Sequence, residues 1–261
     1  MFKMGTISRF VRKALEHPLS IDLSVDDPDT TLIRRAIVEQ KGFLRCIYLE
    51  WYKLIIAYLQ ESEIVLELGS GPGFLNKLRP STITSEILSI PDVSLIANGC
   101  QLPFAKHSLD AIVMTNVMHH ISDISAFFDE ASFCIRPGGK ILLVEPWRSG
   151  WSEWVYKRFH PEPFLPYRDW TLPEGGPLSS ANGALPWILF WRDKKIFESR
   201  HSDWEINIVK PLMPFSYLAS GGVSLRSFVP SWCYSVFRLL ERPWESRYAM
   251  FAFILLKKKA L

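Results

Sequence analysis

The stretch Ile64-Val-Leu-Glu67-Leu-Gly69-Ser70-Gly71-Pro-Gly73 decides the fold. Its apolar opening reads as a buried strand, and three glycines in five positions follow. Glycine at such a strand-to-helix turn lets backbone N–H groups approach a ligand where any Cβ would collide, and it tolerates positive φ. The pattern is Gly-x-Gly-x-Gly, with Phe74 standing where a dinucleotide fingerprint has its last glycine. A pyrophosphate needs that open helix N-terminus. Glu67, two residues before the first glycine, instead suits a ligand that carries an ammonium group.

Outward from this turn, apolar runs at 64–68, 83–87, 93–97, 111–114 and 141–144 alternate with polar turns. Continuous runs of this length mean strands covered on both faces, hence a mostly parallel α/β sheet. Before the last run, Ser122 or Asp123 is positioned to cap a helix bearing Ile124, Phe127, Phe128 and Ala131, and Pro137-Gly138-Gly139 is expected to stop it. Only Leu-Ser-Ile-Pro-Asp separates Ile87 from Val93, too little for a crossover helix. The third strand is therefore expected to be irregular or differently paired, leaving that flank of the sheet thin.

The chain divides into four parts. Residues 1–63 form a helical extension, with a surface helix over 1–20, a helix capped by Thr30-Thr31 that carries Leu32, Ile33, Ala36 and Ile37, and a helix over 43–59. On that last helix Leu44, Ile47, Tyr48, Trp51, Leu54, Ile55 and Tyr58 share one broad face. Residues 64–146 are the ligand-binding core. Residues 147–203 are an insertion rich in aromatic residues and proline, since seven of the ten tryptophans fall between Trp147 and Trp204. Linkers lack aromatics, so this segment reads as an ordered cap, whose rings pack on one another or on a substrate. Residues 204–261 return to the sheet, with 204–209 and 248–256 as its closing antiparallel pair.

Composition narrows the function classes. A net charge of +3 with no basic stripe argues against nucleic acid, and no apolar run is long enough to span a bilayer. Four cysteines, Cys46, Cys100, Cys134 and Cys233, form no Cys-x-x-Cys pair, which favours a reducing cytoplasm without disulfides or zinc. His119 and His120, adjacent in sequence, are expected to point apart, and no metal site is expected.

The region from Ile64 to Trp147 resembles class I S-adenosylmethionine-dependent methyltransferases. Four pieces carry the likeness in order: Glu67-Leu-Gly-Ser-Gly-Pro-Gly73, Thr84-Ser-Glu86, Asn98-Gly-Cys-Gln-Leu-Pro-Phe104 with Ser108-Leu-Asp110, and Arg136-Pro-Gly-Gly139 before Ile141-Leu-Leu-Val-Glu145. The resemblance implies a Rossmann-like sheet with one antiparallel strand, and S-adenosylmethionine as cofactor. Backbone around Gly69, Ser70, Gly71 and Gly73 would then face the methionine and ribose, Glu67 the α-ammonium, and Glu86 the ribose hydroxyls. Asn98, in place of the family's usual Asp, would take the adenine amino group, with Gly99 and Cys100 at the ring edge and Asn116 near the amino acid part. His160-Pro-Glu-Pro-Phe164 and Ala181-Asn-Gly-Ala-Leu-Pro-Trp187 resemble a subgroup of these enzymes that carries no substrate assignment.

Methyl transfer needs in-line positioning of the acceptor and, for a hydroxyl, removal of its proton. The candidate bases are His160 and Glu162, restrained between prolines, then His120, Glu145 and His119. The expected acceptor is small or amphipathic, with glycans and lipid-linked precursors among the options. Two alternatives stand beside the enzyme: a non-catalytic cofactor-binding partner protein on the same fold, and a membrane-surface module using the basic N-terminal helix and Lys257-Lys-Lys259. S-adenosylmethionine and S-adenosylhomocysteine should raise the melting temperature by mass action, whereas NAD should not. A melting curve moved by NAD alone would overturn the resemblance.

Overall fold

The apolar runs lie side by side in a seven-stranded sheet of order β3-β2-β1-β4-β5-β7-β6 in a computed structural model, which describes residues 16–19, 24–71 and 75–260. Gly73 and nearly all of the expected helix over 1–20 fall outside the described residues. The strands are β1 (Val65–Leu68), β2 (Ile83–Glu86), β3 (Leu95–Ile96), β4 (Leu109–Thr115), β5 (Ile135–Pro146), β6 (Trp204–Leu212) and β7 (Phe251–Lys258). Only β7 runs against its neighbours, pairing antiparallel with both β5 and β6.

Side chains alternate across the pleat and feed two cores. On one face Leu66, Ile112, Met114, Ile141 and Leu143 pack with Phe127 and Phe128 of α3 (Ile124–Cys134). On the other, Val65, Ala111, Val113, Leu142 and Val144 pack with Phe43, Ile47, Trp51 and Ile55 of α2 (Gly42–Ile56), which follows α1 (Pro28–Gln40). Burial of a side chain of this size is worth roughly 1.5–3 kcal/mol, so the sheet's stability rests on these two faces. The broad face expected on α2 is buried except for Leu54, which is half-buried, and Tyr58, which lies beyond the helix end and is exposed. Among the described residues no helix is long and apolar enough to cross a membrane.

Two local expectations need correction, and the expected thin flank without a crossover helix is present. Helix α1 is capped by Asp27, whose carboxylate accepts the Asp29 N–H at 2.9 Å, not by Thr30 or Thr31. Pro28 sets the start, because its fixed φ is helical and its missing N–H costs nothing in the first turn. Pro137 does not end α3. The helix stops at Cys134, β5 begins at once, and pairing with β4 steps from Leu109↔Ile135 to Ala111↔Lys140, so that Pro137, Gly138 and Gly139 form a bulge. Gly138 has φ +78°, and a Cβ on Gly139 would stand 2.7 Å from the Asp110 carbonyl oxygen. Strand β3 pairs parallel with β2 through Ser85↔Leu95 and Glu86↔Ile96, but it is only two residues long. Residues 87–94 make the crossover without a helix, closed by Ser94 N–H donating to the Thr84 carbonyl at 3.0 Å and by a hydroxyl contact between the two side chains at 3.1 Å.

The aromatic segment forms α4 (Gly150–Phe159), a long loop, a short helix running into a π-turn at Ile188–Arg192, and α5 (Lys194–Arg200). Its rings meet one another and the core: Trp147 lies against Trp191 at 6.4 Å, and Trp170 against His201 at 6.3 Å. Asp123 caps α3 by accepting the Ala126 N–H at 3.0 Å. Asp123→Ala should therefore cost about 1 kcal/mol, read as a lower urea midpoint at unchanged slope, while the exposed Asp129→Ala should leave the midpoint in place.

Candidate functional site

A cavity of about 460 Å³ opens at the carboxyl ends of β1, β2 and β4 and runs under the aromatic cap. Its near wall is the glycine turn. Gly69 holds φ +69°, and a Cβ there would collide with the Val117 side chain, so only glycine lets the turn sit against the end of β4. Gly71 also has positive φ; its N–H donates to Glu86 Oε1, and its carbonyl accepts from Arg35 Nε at 3.2 Å. Glu86 ends β2 in the cavity wall, and burial raises its carboxyl above the ordinary range.

Glu67 is 1% exposed and stands behind this wall. Neither carboxylate oxygen makes a hydrogen bond of ordinary geometry. Burial pushes it up to about 8, against the pull of the Tyr52 hydroxyl. Ser70 is spent on the fold, since its N–H donates to the Ser85 carbonyl at 2.8 Å and its hydroxyl accepts the Ser85 N–H at 2.9 Å. Its backbone N–H is thus unavailable to a ligand. Asn98 and Gly99 line the cavity, but Cys100 does not; its N–H is accepted by Asn98 Oδ1 at 2.9 Å, an Asx turn that occupies one lone pair of the expected adenine acceptor. Asn116 lines the cavity with φ +58°, its N–H held by the Val144 carbonyl at 2.9 Å. A non-glycine residue in that region persists only where its surroundings impose it.

The far end brings the five candidate bases together. Glu145, fully buried on β5, accepts the N–H groups of Val117 (2.7 Å) and Met118 (2.8 Å) and meets His119 Nδ1 at 2.7 Å. The other ring nitrogen of His119 lies 3.3 Å from Glu162 Oε2. His120 Nε2 and His160 Nδ1 approach the same oxygen at 4.0 and 3.9 Å. His119 and His120 do not point apart. They sit in a 3-10 turn, Met118–His120, with ring centroids 4.2 Å apart, and with Glu162 they bring three possible ligand atoms within 4.8 Å of one another.

The charges follow from these contacts. Burial opposes a charged His119, but the carboxylates of Glu145 and Glu162 outweigh it and raise the imidazole to about 9. Burial and the neighbouring His119 charge lower His120 to about 3, and burial also lowers His160. Glu162, despite its burial, is held well below the carboxylate range by the His119 hydrogen bond and the His119 charge. The cluster is thus a buried imidazolium bridging two acidic side chains, with two neutral imidazoles beside it. Sequence reasoning missed Thr31, Arg34, Tyr48, Tyr217 and the 175–180 loop, all in the cavity wall. Tyr48 lay on an apolar helix stripe and carried no other signal.

Residues 41–187, more than half of the chain, match the family model described as a methyltransferase domain. No curated protein sequence matches. Among solved structures, a SAM-dependent methyltransferase of Thermotoga maritima, described as a possible histamine N-methyltransferase, is 13% identical and covers 81% of this chain and 89% of its own, with a TM-score of 0.52. A chain from the complex between the Haloferax volcanii Trm112 methyltransferase activator and its methyltransferase is 14% identical over 91% of this chain and 98% of its own, with a TM-score of 0.52. At these identities the likeness is one of fold.

Because His119 binds its proton more tightly folded, near 9, than its ordinary 6.5, its contribution to stability is complete below about pH 6.5 and is lost as pH rises through 9. Denaturation midpoints of wild type and His119→Gln across that interval should converge as the pH rises. Parallel curves would mean that His119 is not the bridging cation.

Proposed function

The chain belongs to the methyltransferase domain family, and from that membership we propose that it methylates a small or amphipathic acceptor bound at the cap end of the cavity, with Glu162 and its flanking histidines receiving the acceptor's O–H or N–H. One observation carries this reading. The glycine turn and the histidine–carboxylate cluster line a single cavity, so a cofactor on the first would present its reactive end toward the second.

The residues fit S-adenosylmethionine. The turn, which at Gly69 leaves no room for a Cβ, lies beside a carboxylate at the end of β2, and the buried Glu67, whose oxygens have no hydrogen-bond partner of ordinary geometry, would be compensated by a cationic group. Gly69 and Gly71 would lie along the methionine and ribose, Glu86 would accept ribose hydroxyls with the lone pairs not given to Gly71, and Asn98 with Gly99 would border the adenine. Asn116 would face the amino acid part. Glu67 would act from behind the wall through water. Cys100 shapes the turn without contact. When bound, the cofactor supplies a methyl group on an electron-poor sulfonium.

The chain's own residues then have two tasks. Tyr48, Tyr156 and Tyr217 in the wall exclude water and give the acceptor an aromatic seat. Glu162, kept ionised by His119, accepts a hydrogen bond from the nucleophile and fixes its direction. A carboxylate held so low is a weak base, and His120, lowered to about 3, is no better, so the proton passes to His160, which lines the cavity and is neutral. Glu145 positions His119 and does not itself line the cavity.

Metabolite extracts labelled with a methyl-labelled cofactor would identify the acceptor, and absence of turnover with any extract would favour the non-catalytic partner protein. Glu86→Ala should weaken cofactor binding by about 1.5–3 kcal/mol in calorimetry. Glu162→Gln and His160→Ala should leave that affinity intact yet slow single-turnover transfer about a hundredfold or more. Wild-type rates in both folded variants would remove the cluster from the chemistry.

A further inference from the structure

Helix α6 (Tyr234–Glu241), with the turns on either side, carries apolar side chains on two faces: Tyr234 and Phe237 pack edge-on against Phe43 of α2 at 5.3 and 5.7 Å, while a second apolar face stands exposed. Its ionic side faces inward. Arg238 is buried and pairs with Glu50 of α2 at 2.7 Å, with Glu245 at 2.8 Å and with Glu241, and Glu241 accepts the N–H groups of Phe215 and Ser216 at 2.8 and 2.9 Å. The second apolar side faces out: Trp232, Val236, Leu239, Leu240 and Trp244 follow helical spacing and are 82%, 61%, 65%, 67% and 50% exposed.

The apolar surface continues beyond the helix as a chain of rings. Trp244 touches Tyr248 at 5.9 Å, Tyr248 touches Phe215 at 6.2 Å, and Phe215 touches Trp151 at 5.8 Å. Trp151 stacks on Trp154 at 5.5 Å, and Trp154 meets Phe159 at 5.6 Å, the last two being exposed. Cations edge this belt. Arg158 lies 4.7 Å over Trp154, Arg247 lies 5.5 Å over Tyr248, and Arg242 is exposed beside Trp244. Among the described residues none of these three arginines has a carboxylate at ion-pair distance; Glu153 faces both Arg148 and Lys157, while Glu50, Glu241 and Glu245 share Arg238, so six cations stand against four carboxylates. The unbalanced charge of the belt is positive.

We propose that this belt docks the protein on a membrane surface carrying anionic lipid headgroups. Large exposed apolar patches mark contact sites, and a helix that keeps an apolar face to the outside needs an apolar phase to cover it. Tryptophans at both ends of the helix suit the headgroup level, where an indole is half in and half out of the acyl region, and unpaired guanidiniums meet lipid phosphates there. A second copy of the chain is a poorer occupant, because a two-fold contact through this belt would set its arginines against their own symmetry mates. The proposal is independent of methyl transfer.

The test is co-sedimentation of the full chain with phosphatidylcholine vesicles and with vesicles of equimolar phosphatidylcholine and phosphatidylglycerol, at low and high salt. Binding is expected to the mixed vesicles at low salt, with a blue shift of tryptophan emission, and it should fall at high salt as screening removes the charge attraction. Leu239→Asn with Leu240→Asn should lower partitioning about tenfold or more and leave S-adenosylhomocysteine affinity, measured by calorimetry, at the wild-type value. Failure of the folded wild type to bind mixed vesicles would overturn the proposal. So would equal binding to both vesicle types, or a concentration-dependent dimer, dissolved by the same double substitution, in place of vesicle binding.

Discussion

The site hangs on one buried carboxylate. Glu145 lies near the end of β5 with no access to water, and it gathers two backbone N–H groups from the turn after β4 and the ring of His119. Hydrogen bonds to a charged group contribute about 1.5–3 kcal/mol each, and leaving such a group unpaired in the interior costs more. The turn at 117–120 therefore cannot relax without exposing Glu145 to that penalty. From the fixed turn the constraint passes outward. His119 orients Glu162, and the Asn182 N–H, donating to the His119 carbonyl at 3.0 Å, ties the cap to the same point. A sheet strand thus positions groups from three distant stretches of chain.

The core was legible because its signals are local. Continuous apolar runs predict covered strands, and Gly69, Gly71, Glu86 and Asn98 stand at strand ends, where chain direction alone places them at one edge of the sheet. Asp123 was readable for the same reason, since a cap and its helix are neighbours in sequence. What was not legible depends on partners far apart in the chain. Nothing near Ser70 announces that Ser85 takes both its N–H and its hydroxyl, and nothing near Glu162 announces that His119 reaches it across forty-three positions. The adjacent histidines misled because the expectation assumed a strand or a regular helix, whereas a 3-10 turn brings their rings together. The inward ionic face of α6 has the same origin: Arg238 carries the address of Glu50 only once α2 is beside it.

The missing helix between β2 and β3 has a consequence for the sheet's company. A full-length strand at that edge would offer a row of free backbone donors and acceptors, a template on which another chain could add. Two residues, Leu95 and Ile96, offer almost none. At the opposite edge β6 carries a register shift between Ile206 and Ile208, and Pro211 with the exposed Lys210 follows it. A bulge breaks the ladder, proline withholds a donor, and a lysine would have to shed its water. Among the described residues, both borders of the sheet thus carry features that disfavour the addition of a further strand.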